Sequence, residues 1–504
     1  MPALLAIPPF PGAQPASFAS GKVDPQPISE AELAAILAAL AEHRVGGCYW
    51  GKPVAGPAVL DAAHWPHDAD PWTLLDGAQS VVLPADDPRC LLALAAGKPL
   101  TALGADGAAA PCDAARLAEE YLTGWQWRDP FSGADITVIQ AIALCGFWRT
   151  LIDRNRPITA ALGFAHWKKP TVAPLLWNGR ETPFRRTVPR LAPGDQVALW
   201  RSRVSEAELA KLAGRPVLEV EDGFIRSAGL GADCVPPLSI IVDGRGVHFD
   251  PTRPSDLEYL LEHGHFPPDL LERAAALRSA IVAAGISKYE QGIAQALPRP
   301  GGTRHHVLVP GQVEDDRAVT SGGALSSNLE LLRRARAAAG PDAFVIYKPH
   351  PDVLAGHRRG VVATRDARQF ADAIETDAPM AALIDMVDEL HVNSSQAGFE
   401  ALLRGKRVSV HGVPFYAGWG LTRDLGAVPS RRTARRTLDE LVAAALLLYP
   451  RYLDPVTGLP CPPEVLVERL SGNTGPRLGL AQASVVTVRR LHGRLRAGIG
   501  QLLE

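Results

Sequence analysis

The chain has 504 residues, 47% of them hydrophobic and 21% charged, with a formal net charge of -2. That length suits about two to four globular domains, and the near-neutral balance excludes the broadly basic surface of a nucleic-acid-binding protein. Six cysteines (Cys48, Cys90, Cys112, Cys145, Cys234 and Cys461) are scattered without a CxxC pair, which excludes a disulfide framework and fits isolated thiols in a reducing compartment.

Residues 1–21 carry Pro2, Pro8, Pro9, Pro11 and Pro15 but no basic start and no unbroken apolar run, so they are not expected to act as a secretory signal. No stretch approaches the roughly 20 apolar residues of a membrane helix. A cytosolic protein is expected, at most resting on a membrane surface.

Residues 81–104 and 389–412 resemble each other. With Gly97-Lys98 laid over Gly405-Lys406, Gly104 falls on Gly412 without a gap. Further on, the Asp129-Pro130 turn ending at Gly133 matches the Asp454-Pro455 turn ending at Gly458. Both copies read as strand, polar turn, short helix and strand, as in a parallel sheet. They differ where chemistry would sit: Asp86, Asp87 and Leu92 stand where the later copy has Ser394, Ser395 and Glu400. Residues 1–150 are therefore expected to be the degenerate remnant of an upstream module, with its fold kept and its site lost.

Beyond residue 155 the pattern alternates. Segments 196–200 and 216–220 read as buried strands around a helix at 206–212. Segment 238–242 reads as a strand that turns at Asp243-Gly244 into a hairpin with 247–249. A helix over 257–286 is broken by Pro267-Pro268. Strands at 306–309 and 344–347 flank a helix at 327–338, and strands at 387–392 and 408–410 follow. The alternation predicts an α/β protein with two Rossmann-like lobes, 151–298 and 299–470, and a basic tail over 471–504. Ligands in such a body bind at the carboxyl ends of the strands, here between the lobes.

Four polar segments fall at such strand ends. Glu221-Asp222-Gly223 offers a general base for an acceptor hydroxyl, or a plain solvated turn; strand alternation allows at most one of the two acids to face a given cleft. Lys348-Pro349-His350-Pro351 places two donors suited to a phosphate on a stiff loop, or is a rigid turn with an incidental imidazole. Asn393-Ser394-Ser395, before a helix carrying Glu400, reads as a phosphate seat or a simple N-cap. The segment 311–316, with Gln312 and Asp316, supplies acids for a nucleophile or is a solvated loop; a metal site fits it poorly. Gly229 and Gly231 lack the third glycine of a dinucleotide fingerprint. Basic clusters at Arg431, Arg432, Arg435 and Arg436 and in the tail read as lipid-facing or simply solvated.

Together the segments 221–261, 311–316, 347–353 and 398–424, with Gly163 to Lys169, resemble the capsule-synthesis family of β-Kdo transferases. The resemblance implies a GT-B-like fold and a retaining transfer of Kdo from CMP-Kdo to a lipid-linked acceptor. It implies Asp316 as nucleophile and Asp222 or Glu221 as base. It also implies Gln312, Lys348, His350, Ser394, Ser395 and Glu400 as donor-binding residues, no metal or other cofactor, and other capsule synthesis proteins as possible partners near the inner membrane. Arg226 is assigned to the Kdo carboxylate from its charge. The sequence departs from the tandem members of the family in holding one complete module, and Trp200-Arg201-Ser202-Arg203 departs from their pattern. A catalytically silent scaffold, or a transferase using another CMP-sugar such as CMP-sialic acid, remains an alternative.

Overall fold

The computed structural model describes residues 4–14, 16–24, 27–180, 184–226, 235–287, 296–356 and 358–472. The tail beyond residue 472, Gly229, Gly231 and Cys234 lie outside the described residues. Two large sheets dominate the molecule. One is wholly parallel and is built from Ala373–Ile374, Phe344–Lys348, His306–Pro310, Glu389–Val392, Arg407–Val410 and Arg423–Asp424, in that spatial order. The chain enters at His306–Pro310, winds outward in one direction, then returns to Glu389–Val392 beside the start and winds the other way. A doubly wound sheet of this kind opens a crevice at the carboxyl ends of the two central strands. Strands buried on both faces need near-continuous apolar runs, and His306–Pro310 is buried at all five positions.

The second sheet is mixed. Phe184–Arg185, Ile158–Leu162, Gln196–Leu199 and Val217–Asp222 run parallel. Ser239–Asp243 lies antiparallel to Val217–Asp222. The expected hairpin is not formed, because the Asp243 carboxylate accepts from the backbone of Arg245 and Gly246 and turns the chain into a loop. The outer strands are Pro450–Leu453 and Pro460–Cys461. These come from the end of the expected C-terminal lobe, so the chain crosses back to the first lobe before residue 470. Helix Val138–Asn155 likewise runs through the expected boundary at 150, and Trp148 inside it donates its indole N–H to Pro460 at 2.9 Å.

The two repeated segments fold alike. Ser80–Pro84, helix Arg89–Ala95 and Leu100–Leu103 correspond to Glu389–Val392, helix Ala397–Leu403 and Arg407–Val410. Gly97 and Gly405 leave their helices at φ 65° and 69°, a conformation that favours glycine. Both regions continue through a short helix ending in a π turn, a strand, an Asp-led turn and another strand–helix pair. In each turn the Asp carboxylate accepts from backbone N–H groups two and three residues on.

The halves are tied by a buried ion pair. Glu258, on helix Asp256–His263, holds both Arg431 and Arg432. Arg432 also donates to the carbonyls of Pro414 and Ala417, and Arg436 to those of Leu261 and Glu262. The basic cluster therefore staples the chain to itself, which corrects both the lipid-facing and the solvated expectation for these three arginines. Among the described residues, no helix is long and apolar enough to cross a membrane.

Candidate active site

A cavity of about 480 Å³ lies between the two sheets. Its walls come from the strand ends singled out in the sequence: Glu221 and Asp222 on one side, Gln312, Asp316, Lys348, His350, Ser394, Ser395 and Glu400 on the other. Phe224 and His248 from the first half meet Phe415 from the second, with the Phe224 and Phe415 rings 4.5 Å apart. Gln396 donates to the Phe224 carbonyl at 2.7 Å. These contacts close the floor of the cleft.

The two acids share a strand yet both line the cavity, contrary to the alternation argument. The strand runs on to Asp222, and the cavity wraps around its end. Their environments are opposite. Asp222 accepts from Lys168 at 3.0 Å and from Arg226 at 2.8 Å. Burial would push its carboxyl up, but the Arg226 and Lys168 cations outweigh burial and hold it at about 2. Burial pushes the Glu221 carboxyl up to about 7; the Arg317 guanidinium opposes this and the Asp222 charge adds to it. Two neighbouring carboxyls driven apart in this way divide the roles of fixed charge and proton acceptor between them. Arg317 reaches Glu221 across the cleft at 2.7 Å. Its chain neighbour Asp316 lines the same cavity from the facing wall.

Arg226 is 1% exposed and does not line the cavity; besides Asp222 it donates to the Val235 carbonyl at 2.7 Å. Its assignment to a substrate carboxylate is corrected accordingly: the guanidinium lies behind Asp222 and fixes it. Lys168 lies in the segment Gly163 to Lys169, which carries no assigned role in the sequence. Its ammonium sits 3.3 Å from the centroid of the Trp200 ring, a cation–π contact that holds it against Asp222. Trp200 follows Gln196–Leu199 and Lys168 follows Ile158–Leu162, the two strands where the winding of this sheet reverses. The signal in the sequence was the Trp and Lys after consecutive strands.

On the other side, Gln312 is a brace. It accepts from the Ser394 N–H at 2.9 Å and its amide lies 3.3 Å from the Ser394 hydroxyl, joining the two loops that flank the crevice. The Ser394 hydroxyl itself donates to the Ala318 carbonyl at 2.9 Å. Ser395 accepts from the Ala397 N–H, and its carbonyl takes the Tyr416 hydroxyl. Tyr416 can lie this close only over Gly398, where a Cβ would stand 2.2 Å from the hydroxyl oxygen. Lys348 points its ammonium at the Ala378 carbonyl, 2.7 Å away, on the loop below the cavity. His350 accepts the Asp352 N–H on Nδ1 at 3.1 Å, which leaves its proton on Nε2 and makes that atom a donor. Asp316 caps helix Arg317–Gly322 and accepts from Ala318 at 3.3 Å. Glu400 is nearly buried at the fourth position of helix Ala397–Leu403.

The cleft thus opposes a proton acceptor and a fixed carboxylate to an acid on a helix cap, an imidazole donor, an ammonium and a serine hydroxyl. This set can grip a phosphate and a sugar and can move one proton. Among the described residues, no cluster of three or more His, Cys, Asp or Glu is arranged to hold a metal ion.

Known proteins resemble the chain in sequence and in fold. Residues 195–452 match the family described as "Capsule polysaccharide biosynthesis protein". The capsule polysaccharide modification protein LipA of Neisseria meningitidis serogroup A is 36% identical over 351 residues, covering 68% of this chain and 49% of LipA. The chain thus spans about half the length of that relative. The lipopolysaccharide-processing protein LpsZ of Rhizobium meliloti is 39% identical over 333 residues, covering 62% of this chain and 74% of LpsZ. Among solved structures, the β-Kdo 2,4 transferase of Thermosulfurimonas dismutans KpsC superposes with a TM-score of 0.53 at 33% identity, covering 62% of this chain and 98% of that one. The fold is GT-B-like, and the chain belongs to the capsule polysaccharide biosynthesis protein family.

Proposed function

We propose that the chain is a glycosyltransferase that moves Kdo from CMP-Kdo to a lipid-linked acceptor in capsular polysaccharide synthesis, with retention of configuration and without a metal. The observation that carries this reading is the single cleft in which acids of one sheet face cations and hydroxyls of the other. The likeness to a solved β-Kdo transferase supports the choice of sugar.

Retention requires two displacements or an equivalent. In the first, an Asp316 carboxylate oxygen bonds to the anomeric carbon. The bond from that carbon to the phosphate oxygen breaks, and CMP leaves with the electron pair. His350 donates to the departing phosphate from Nε2, while Lys348 and the serine loop supply cationic and hydroxyl stabilisation. Glu400 faces the nucleoside. In the second, Glu221 takes the proton of the acceptor hydroxyl, the acceptor oxygen bonds to the anomeric carbon, and Asp316 is released. A carboxyl at about 7 is matched to that task near neutral pH. Asp222, held ionised, orients Lys168 and Arg226 beneath it.

Residues 1–150 are, on this reading, the remnant of an upstream module. Asp86 and Asp87 at the position of the serines would repel a phosphate, and Asp87 is engaged by Arg89 at 2.6 Å. A cytosolic location with contact to the inner membrane follows from a soluble donor and a lipid-linked acceptor, and other capsule synthesis proteins would share that acceptor.

Incubation of the purified chain with CMP-Kdo and a phosphatidylglycerol-based glycolipid, with CMP release and product mass as readouts, tests the proposal. Turnover that persists in EDTA supports it. Release only with another CMP-sugar replaces the donor, and release with none leaves a silent scaffold.

A further inference from the structure

A second cavity, of about 360 Å³, opens on the first half of the molecule and is lined by Arg201, Arg215, Arg245 and Arg253. Its floor is the sheet face that carries Val217 and Glu219. Side chains two apart on a strand share a face, so this is also the face that presents Glu221 to the main cleft. Glu219 and Glu221 are separated by about 7 Å along the strand. Arg317 bridges them, at 3.2 Å from Glu219 and 2.7 Å from Glu221. The arginine cavity thus begins one strand step from the proton acceptor, on the side away from the phosphate-gripping loops.

Its lining carries four arginines against two acids, Glu219 and Asp243. Glu219 is 4% exposed and is approached by three guanidiniums: Arg317, Arg253, and Arg201 at 3.7 Å. Arg317 also pairs with Glu221, and Arg253 lies 3.9 Å from Asp250; Arg201 has Glu219 as its carboxylate partner among the described ion pairs. Among the described residues, the hydrogen bond of Arg215 is to the Leu191 carbonyl, at 3.5 Å. The other acid of the wall, Asp243, is spent on the backbone of Arg245, Gly246 and Asp256 and on the Tyr449 hydroxyl. Arg245 pairs with Asp256. The side chains of Arg201 and Arg253 remain 43% and 44% exposed, so parts of their guanidiniums face the cavity while Glu219 anchors them. A forked donor array held on a buried acid is suited to a bidentate oxyanion.

We propose that this cavity is the subsite for an anionic group of the acceptor, a phosphodiester or a carboxylate, held so that the acceptor hydroxyl reaches Glu221. The word acceptor rests on the transferase reading; the anion site stands on the arginines alone.

Calorimetric titration with glycerophosphoglycerol and, separately, with the methyl glycoside of an acidic sugar distinguishes the two sources. The expected result is binding of at least one probe, weakened by about tenfold in Arg215→Gln and further in Arg201→Gln/Arg215→Gln, as loss of charge-assisted contacts predicts. Both side chains reach solvent, which keeps these variants foldable, and CMP titrated into each variant reports the integrity of the main cleft. In turnover, KM for the acceptor rises by more than kcat falls. Absence of binding by both probes, or equal affinity in wild type and variants, overturns the subsite. A probe that binds in a chain that does not bind CMP leaves the anion site standing and removes the transferase reading.

Discussion

Replacement of Arg317 by Gln should move the pH dependence of transfer toward alkali. The guanidinium lies 2.7 Å from Glu221 and is the largest influence opposing the burial that lifts this carboxyl to about 7. An opposite charge at such range is worth about 1–3 pKa units. Its loss leaves burial and the Asp222 charge opposed mainly by the more weakly acting Lys168 cation, and the Glu221 carboxyl rises to about 8 or higher. A base works in its ionised form. The ionised fraction at pH 7 then falls from about half to about a tenth, and the rate falls roughly fivefold, with recovery above pH 9. The wild type should show an acid limb in kcat/KM near pH 7, displaced upward in Arg317→Gln and largely restored in Arg317→Lys. CMP release measured between pH 5.5 and 9.5 gives the limb, and carbon NMR of labelled glutamate gives the titration without turnover. An acid limb that stays in place, or moves to lower pH, refutes the assignment of Glu221 as base.

Asp316→Asn should abolish transfer, by about three orders of magnitude or more, while CMP binding measured by calorimetry is retained; unchanged turnover removes Asp316 from the nucleophile role. Gly398→Ala introduces a Cβ that would stand 2.2 Å from the Tyr416 hydroxyl. The strain, about 1–3 kcal/mol, should lower the melting temperature and weaken CMP binding through the Ser395 loop. Glu258→Ala strips the carboxylate from Arg432, whose side chain is 2% exposed. A loss of about 3–5 kcal/mol is expected in denaturant unfolding, and a loss below 1 kcal/mol would show that the staple between the halves carries little of the stability.

The parts of this site that could be read from the sequence are those set by local order. A polar residue just after an apolar strand is placed by the strand itself, and Gln312, His350 and Ser395 reach the cleft for that reason, while Glu400 reaches it from the helix that follows. The break of the long helix at Pro267-Pro268 was legible too, since Pro268 opens helix Pro268–Ala283. Long-range pairing was not legible. Arg226 looked like a substrate ligand by charge, and only the fold shows it behind Asp222. Arg317 stands beside Asp316 in the sequence, yet its partner is 96 residues away. Pro450–Leu453 looks like part of the second half, but its edge pairs with Ser239–Asp243. The Asp243-Gly244 turn signal was real, but the Asp243 carboxylate captured the backbone it was meant to fold. Arg431 and Arg432 read as surface charge because the acid that pairs with them lies on helix Asp256–His263.

The internal repeat shows the same division. Gly97 and Gly405 hold the same left-handed backbone, and the Asp-led turns recur with the same hydrogen bonds. The two segments share backbone geometry where their side chains differ, because turns and helix ends depend on few residues while a binding site depends on many.

The most direct test of the central claim is a structure of the chain with CMP. The account predicts the phosphate within hydrogen-bond reach of His350 Nε2 and the Ser395 loop, the nucleoside beside Glu400, and the open side of the phosphate directed between Asp316 and Glu221. CMP bound outside the space between the two sheets, or bound there with its phosphate turned away from Asp316, would contradict it.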